Sequence, residues 1–568
     1  MGIIEKGKIL EFPCGIDNYY GVANEKMEQG DYESALGLLF SALKKQESPS
    51  VYSKIADCYS EMGLISLSNA YWFLYLSVCE EAKQTIAYEQ LAINYFYMDN
   101  YFVSSYYFHL KLSKDGYISK EGLDEEVLNF FNQTLDKRSA YYVAYPFDRA
   151  DFSFKEKLAR QALAAGDYSG AEKLYSDIPL ECMNEQTNGE LAISLFLNKK
   201  DEQVIEVCKD SLSRHGENVT AYCNLSSLYH AKGDKEKSAY YYSQALKVNA
   251  WQNEECYKLA TCSMEQNDHQ TANICLQKIL KERTYDVTMS FFYAVSLANL
   301  GKFSDSARAF SQIYRIYPND RIAKFYAEYL QAIVDGAGDS KNIFPLPYVK
   351  NLPPSIVKAY KRKISELFSD PKKGLTQIKR KDVQDIIKWA LIQEEGEYAK
   401  HSVFILSNSN TKWAEKTMLN ALMDIDVSGD TKRAIITMLV LSGYKETFSV
   451  VANDFLVKVK PKKLVCENRI DGDVFVAAYA ICLSRMTYWN IDAFDKIAFA
   501  INKVYKKLGG EVYIAGLTPE EIGAIAVCLC KLERLTNPDY VCKFFDARAN
   551  IVKDYLKIVK GDKNGKNN

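Results

Sequence analysis

The chain has 568 residues, a hydrophobic share of 48% and a formal net charge of −2. This length exceeds the roughly 250–300 residues at which single hydrophobic cores stop growing, so two or more folded units are expected. The composition excludes a collagen-like chain and one that is disordered throughout. With only 28 Gly and 13 Pro, a mostly helical protein is predicted.

Charge and cysteine usage narrow the class of protein further. Residues 1–335 carry a net charge of −12 and residues 336–568 one of +10, so the two parts are expected to have different partners or to attract each other. The 14 cysteines are scattered singly, as thiols are in a reducing compartment. Glu5 and Glu11 interrupt any signal peptide, and no apolar stretch reaches the ~20 residues of a membrane helix. A cytoplasmic protein with no membrane partner is predicted, and its Lys, Asn, Ile and Tyr usage suggests a bacterial source.

An internal repeat dominates the first half of the chain. A large apolar residue followed by a small one recurs at intervals near 34 residues, in the pairs Val22-Ala23, Ile55-Ala56, Leu91-Ala92, Leu158-Ala159, Leu191-Ala192, Leu225-Ser226, Leu259-Ala260 and Tyr293-Ala294. One interval is double, so there are nine slots, and the slot at 119–151 is degenerate. Each slot also has a Gly-, Asp- or Asn-rich turn and a second small residue. Small residues let two antiparallel helices cross closely, and the turn requires a residue that tolerates positive φ.

This pattern resembles the tetratricopeptide repeat over residues 16–320. The turn Gly166-Asp167-Tyr168 with Ala171 is one of its clearest instances, and Pro318 lies where that family ends its second helix. Tyr95 and Tyr229 occupy the aromatic position of the first helix. The resemblance implies a superhelical solenoid whose concave wall is formed by the first helices. The later residues return to helical periodicity, so the expected fold class is all-α, with this solenoid followed by a second all-helical domain. The helix expected at 321–334 would cap the open end, which extends the solenoid to 16–335.

The resemblance also implies a partner-binding groove, formed by first-helix residues that point away from the second helices. Carried over position by position, these residues are Tyr20, Asn24, Met27, Asp57, Glu61, Glu89, Ile93, Phe96, Tyr97, Glu156, Arg160, His230, Tyr257 and Glu265. This wall is aromatic and acidic, which favours a partner peptide or helix with a basic segment. Most of the 41 tyrosines are expected to be packing residues. The carboxylate clamp of one subclass is not predicted, because Tyr20 stands where that clamp requires Lys.

The remaining segments are assigned as a leader at 1–15, a Pro- and Gly-rich linker at 336–354, a helical C-terminal domain at 355–560 and a disordered tail at 561–568. Within the C-terminal domain, Thr518-Pro519-Glu520-Glu521 is a strong helix start, with a capping residue, Pro at the first position and acids in the first turn. The stretch 419–443 weakly resembles a HEAT or armadillo unit, with Asp424 near the end of one helix and Lys432-Arg433 opening the next. An irregular helical array or bundle is the safer expectation.

No catalytic, cofactor-binding or metal-binding residues are predicted, and neither a cofactor nor enzyme activity is expected. The spacing of Gly2 and Gly7-Lys8 approaches a phosphate-binding loop, but Ile9 replaces the hydroxyl residue that such a loop needs. Cys528 and Cys530 are two apart on an expected helix and therefore point to nearly opposite sides, unlike zinc ligands. These patterns favour buried core thiols.

The main hypothesis is therefore a non-catalytic scaffold or adaptor that binds a partner peptide or helix in its groove. One alternative is a nucleic-acid-associated regulator, because basic clusters such as Lys361-Arg362-Lys363 and Lys379-Arg380-Lys381 lie in the C-terminal half, although no aromatics are interleaved with them. Another is an enzyme with its site hidden in that half. A deep polar pocket with a perturbed carboxylate there would favour the enzyme.

Overall fold

A computed structural model describes residues 16–116, 142–143, 150–164, 166–248, 253–337, 344–393, 396–461, 469–486, 494–508, 516–532, 535 and 537–561. In this part of the chain the fold is almost entirely helical, with four short strands. The expected leader at 1–15 lies outside the described residues, as do most of the degenerate slot at 119–151 and the tail from 562 onward.

Successive helix pairs make up residues 16–316. They are α1 (Ile16–Glu28) with α2 (Tyr32–Lys45), α3 (Pro49–Glu61) with α4 (Ile65–Val78), α5 (Gln84–Tyr97) with α6 (Tyr101–Lys114), α7 (Ser153–Ala164) with α8 (Tyr168–Ser176), α9 (Glu185–Leu197) with α10 (Asp201–His215), α11 (Val219–Ala231) with α12 (Lys235–Lys247), α13 (Asn253–Glu265) with α14 (His269–Glu282), and α15 (Val287–Asn299) with α16 (Phe303–Ile316). A single helix, α17 (Arg321–Val334), follows. The prediction of tetratricopeptide-type pairs is confirmed at every slot that the structure describes.

The local sequence explains both the turns and the crossings of these pairs. Gly30 and Gly166 adopt φ of 74° and 79° in the turns, a conformation that costs glycine least. Asp31 then caps α2 by accepting the Ser34 N–H at 3.2 Å. Where serine replaces the second small residue, its hydroxyl bonds back to the first helix, as from Ser306 to the Ala294 carbonyl at 2.7 Å. The serine therefore keeps the close crossing and satisfies its own hydroxyl.

The C-terminal half is an irregular helical array with one hairpin. Its elements are α18 (Pro354–Ser369), α19 (Pro371–Gln377), α20 (Lys381–Leu391), α21 (Gly396–Asn408), α22 (Lys412–Met423), α23 (Gly429–Leu441), β3 (Phe448–Ala452), β4 (Phe455–Val459), α24 (Arg469–Met486), α25 (Phe494–Leu508), α26 (Pro519–Cys530), α27 (Pro538–Phe545) and α28 (Ala549–Lys560). Two shorter strands, β1 (Tyr142–Val143) and β2 (Ala150–Asp151), pair ahead of α7. The buried α26 packs against α24, α25, α27 and α28.

The β3–β4 hairpin, like the shorter β1–β2 pair, was not predicted from the helical periodicity. It is antiparallel, with Phe448 opposite Val459 and Ala452 opposite Phe455. Asn453 and Asp454 form the two-residue turn at φ of 48° and 69°. Such turns require positive φ at both positions, which Asn and Asp tolerate better than most residues. The Asn-Asp pair between β-branched and aromatic residues was the available sequence signal.

The end of the repeat array and the C-terminal half both pack on the first repeats. Helix α16 contacts α2, and α22 contacts α4. The turn of the hairpin reaches the third repeat, where the Tyr95 hydroxyl donates to Asp454 Oδ1 at 3.0 Å and the Tyr107 hydroxyl donates to the Asp454 carbonyl at 2.9 Å. One buried core joins the first three repeats, α15 to α17 and the C-terminal half, while two smaller cores lie within the repeats in between.

Within the expected linker, residues 344–354 lie against the last repeats. Tyr348 is hydrogen-bonded to His269 Nδ1 at 2.9 Å, and Asn299 bonds both the N–H and the carbonyl of Leu346. The Tyr326 hydroxyl donates to the Asn351 carbonyl at 2.9 Å. These bonds fix the segment along α14, α15 and α17, while the division into domains at 336 and 354 stays a prediction.

Candidate functional site

The groove residues named from the sequence are all half-buried or exposed, and they form two groups along the array. Nine lie on α1, α3 and α5, and the five others, from Glu156 to Glu265, lie on α7, α11 and α13. The C-terminal half contacts the first three repeats through Glu47, which follows α2, and through Tyr95 on α5 and Tyr107 on α6. Helix α5, which carries part of the first group, is therefore also contacted by the C-terminal half.

The first group ends in an exposed aromatic pair. Tyr97 is 73% exposed, and its ring lies edge-on to Phe96 with 6.3 Å between centroids. Two of the three acids of this group have local partners, since Asp57 pairs with Lys54 at 3.5 Å and Glu89 pairs with Lys111 at 3.1 Å. This part of the wall offers aromatic surface more than uncompensated charge.

Near the second group lies a cleft of about 700 Å³ whose walls come mainly from α9, α11, α13 and α14. We call it the acidic cleft, because its walls carry the carboxylates Glu185, Glu190, Glu255 and Glu282 against the cations Lys258 and Arg283. Tyr257, predicted from the sequence, lines the cleft and is 44% exposed. Burial lowers the pKa of Lys258, and the charge of Glu190 opposes that shift.

Glu190 is the centre of a hydrogen-bond network that joins three helices. Arg160 Nε donates to its two carboxylate oxygens at 2.9 and 3.0 Å, and the Tyr175 hydroxyl donates at 2.8 Å. Gln186 Nε2 adds a bond at 3.1 Å. The charge of Arg160 therefore offsets that of Glu190, and the acidic excess of the cleft comes from Glu185, Glu255 and Glu282.

Glu156 and Glu265, also predicted, have hydroxyl partners from the neighbouring repeat. Thr187 Oγ1 donates to Glu156 at 2.9 Å, and Ser227 Oγ donates to Glu265 at 2.5 Å. Burial raises the pKa of Glu265, and the charge of His230 opposes that shift. The first helices of adjacent repeats are thus connected along the wall by polar side chains.

A glycine sets the distance between two of these helices. Asn224 Nδ2 donates to the Gly189 carbonyl at 3.1 Å, and a Cβ at Gly189 would lie 2.4 Å from Thr220 Cγ2. A larger residue would require Thr220 to move. Gly189 thereby brings α9 and α11 close enough to form one side of the acidic cleft.

Sequence reasoning missed Glu190 and Lys258. Both occupy the position immediately before the apolar residue of the repeat pair, ahead of Leu191 and Leu259. The carried-over set used the positions two before, one after, and four or five after that pair. Including the adjacent position in each first helix would have found both residues.

A smaller cavity, of about 320 Å³, lies between α23 and the hairpin. Lys432 Nζ donates to the Val451 carbonyl there at 2.7 Å. Burial lowers the pKa of Lys432 to about 8 and raises that of Asp454. A perturbed carboxylate in this half was the feature that would favour an enzyme, but both groups have structural partners here: Lys432 supports strand β3 and Asp454 accepts the Tyr95 hydroxyl.

The described residues contain no cluster of three or more His, Cys, Asp or Glu side chains that could hold a metal ion. None of their helices combines the length and apolar character needed to cross a membrane. The basic clusters are partly paired, as where Arg380 contacts Asp382 at 2.7 Å and Lys373 contacts Glu366 at 3.5 Å.

Comparison with known proteins finds structural likeness only. No family model and no curated protein sequence matches the chain. Yeast Tom70 is 12% identical, with 88% of this chain and 98% of that chain covered at a TM-score of 0.27. The corresponding values are 14%, 47%, 97% and 0.20 for yeast Sti1 in complex with pHSP90, and 14%, 73%, 91% and 0.28 for human IFIT1 with m7Gppp-AAAA. These matches say nothing about what the present chain binds.

Proposed function

We propose that this tetratricopeptide-repeat chain is a non-catalytic scaffold or adaptor that binds a basic segment of a partner protein. The acidic cleft carries the proposal, because Glu185, Glu255 and Glu282 outnumber the two cations Lys258 and Arg283 there, beside the half-exposed ring of Tyr257. The expected setting is the cytoplasm of a bacterial cell, as proposed from the composition.

Binding would use charge and aromatic surface in different places. Glutamates at the rim of the cleft, such as the exposed Glu185, attract lysine or arginine and speed the encounter, and added salt weakens this attraction. Aromatic rings supply contact area at low rotamer cost. Tyr257 serves as the anchor inside the cleft, and Phe96 with Tyr97 serves further along the wall. A partner helix or extended peptide would therefore be read by a basic stretch next to an apolar residue.

Affinity capture with the full chain tests this proposal. Glu185→Gln with Glu282→Gln removes two negative charges from the cleft, and Glu202→Gln with Glu206→Gln removes two from exposed positions on α10. Since the two double variants have the same net charge, only the location differs. The amount of captured partner, identified first with the wild type, should fall by about 10-fold or more with the cleft variant and stay unchanged with the control. Equal capture by both would contradict the proposal.

Two further capture experiments test the role of the aromatic anchors and the alternative of nucleic-acid binding. Tyr257→Ala should weaken capture if the cleft holds the partner, and Phe96→Ala with Tyr97→Ala should weaken it if the partner extends to the third repeat. Nuclease treatment should leave capture unchanged. A partner that is lost on nuclease treatment would instead support a regulator that acts through the basic C-terminal half.

A further inference from the structure

A second cleft, of about 670 Å³, lies where the two ends of the repeat array meet the C-terminal half. Its walls come from α2, α3 and α4, from the start of α17, and from α20 and α22. We call it the closure cleft. Its volume falls within the range of about 300–1,000 Å³ that is typical of small-molecule sites, which often form between packed units.

The closure cleft is rich in aromatic side chains. Tyr52 and Tyr71 have ring centroids 6.2 Å apart, and Tyr317 and Trp413 complete a set of four aromatic rings. Burial raises the pKa of Tyr52 to about 12, with a contribution from the charge of Glu47. Flat aromatic faces of this kind favour a ligand with a ring of its own, since offset or edge-on ring contacts add to simple area burial.

The acids of the closure cleft already have partners. Glu47 pairs with Lys416 at 3.1 Å. Asp426 accepts the Tyr317 hydroxyl at 2.8 Å, and its own N–H donates to Asp424 Oδ1 at 2.9 Å. Each of these carboxylates therefore has a donor within the protein, and Glu47 is also neutralised by a cation.

The cations of the closure cleft differ in whether they form ion pairs. Arg321 is held by Asp385 at 2.9 Å, whereas among the described residues no ion pair is formed by Lys388 or Lys412, both of which line the cleft. Lys388 Nζ lies 5.8 Å from the centroid of the Trp413 ring. Burial and the like charge of Arg321 lower the pKa of Lys388. An anion placed beside these ammonium groups would offset both the desolvation and the like-charge repulsion.

We infer that the closure cleft binds a small aromatic anion, an aromatic carboxylate or aryl phosphate, with its ring against Trp413 and Tyr71 and its charge beside Lys388 and Lys412. The walls belong to parts of the chain more than 300 residues apart, such as Tyr71 and Trp413. A ligand that touches both stabilises the closed arrangement by mass action. The inference does not depend on the partner proposed for the acidic cleft.

Titration of the full chain with 1-naphthyl phosphate tests the inference, with quenching of tryptophan fluorescence and calorimetry as readouts. Neutral 1-naphthol, inorganic phosphate and octyl phosphate serve as comparison ligands. The aryl phosphate should bind at least about 10-fold more tightly than each of them, because it alone combines ring and charge. Octyl phosphate binding as well as the aryl phosphate would overturn the aromatic part of the inference. Equal binding of inorganic phosphate would show that the aromatic walls of the cleft do not contribute to binding.

Variants locate the site. Lys388→Met should weaken the binding of 1-naphthyl phosphate by about 10-fold and leave the binding of 1-naphthol unchanged, since the substitution removes one charge-assisted contact. Lys412→Met, at an exposed position, should act in the same direction without affecting folding, and Lys372→Met, exposed on α19, is the matched control. Saturating ligand should raise the melting temperature of the wild type and of the control more than that of Lys388→Met. Equal affinities in all three variants would place the ligand elsewhere.

Discussion

The hydroxyl of Tyr59 donates a 2.7 Å hydrogen bond to the carbonyl oxygen of Ile316, which lies 257 residues further along the chain. Tyr59 is fully buried on α3, and Ile316 is the last residue of α16. Carbonyl groups in the last turn of a helix have no partner within the helix. The second repeat therefore satisfies the end of the last one, and this bond belongs to the contact that closes the array.

Removing that hydroxyl should weaken the closure. Tyr59→Phe keeps the ring but leaves the buried carbonyl without this donor, so the free energy of unfolding should fall by about 1–2 kcal/mol. Urea denaturation followed by circular dichroism measures the change. Tyr97→Phe, at a 73% exposed position, is the control and should change it by less than about 0.5 kcal/mol. Equal effects at the two positions would show that Tyr59 does not act through Ile316.

The hairpin turn should be energetically coupled to the third repeat. In a double-mutant cycle, Tyr95→Phe removes the donor and Asp454→Gly removes the acceptor, and glycine keeps the positive φ of the turn. We expect a coupling energy of about 1 kcal/mol, because each single variant breaks the same hydrogen bond. Urea denaturation of the four proteins gives this value. Strictly additive effects would mean that the bond makes no net contribution.

Lys432 should make stability depend on pH in the alkaline range. Its pKa is lowered by burial to about 8 from the ordinary lysine value of 10.5. Below pH 8, the buried ammonium group therefore lowers the free energy of unfolding. As pH rises from 7 to 9.5, the folded state releases the proton before the unfolded state does. The wild type should thereby gain about 2 kcal/mol of stability relative to Lys432→Met.

Denaturation of both proteins at several pH values measures this difference. Tyrosine ionisation lowers the stability of the two proteins alike and cancels in the comparison. A difference that stays constant between pH 7 and 9.5 would mean that Lys432 titrates equally in both states.

Glu521 should be a strong local determinant of stability. Its carboxylate is 1% exposed, accepts the Thr518 N–H at 2.9 Å, and accepts bonds from Arg548 at 2.5 and 3.1 Å. Glu521→Ala should lower the free energy of unfolding by about 2 kcal/mol through loss of the capping box and of these bonds. Glu520→Ala, one position earlier in the same first turn, should cost only a few tenths of a kcal/mol. Similar losses at both positions would mean that Glu521 stabilises the protein only through its charge near the helix N-terminus, as Glu520 does.

The candidate site could be predicted only in part. The repeat register correctly placed Glu156, Arg160 and Tyr257 on the first helices, because each residue of a tetratricopeptide-type pair has a fixed direction relative to its neighbours. It did not reveal that Arg160 is held by Glu190. That pairing depends on which side chains adjacent repeats bring within reach, and the period alone does not specify it.

The sequence by itself determined the helix pairs, their turns and the capping box at Thr518, because these depend on residues within a few turns of one another. Only the tertiary structure decided that α16 returns to α2, that Asp454 meets Tyr95, and that two lysines face a cleft of aromatic rings. Contacts between residues so far apart depend on the curvature accumulated over all the intervening repeats. No local pattern in the sequence records that sum.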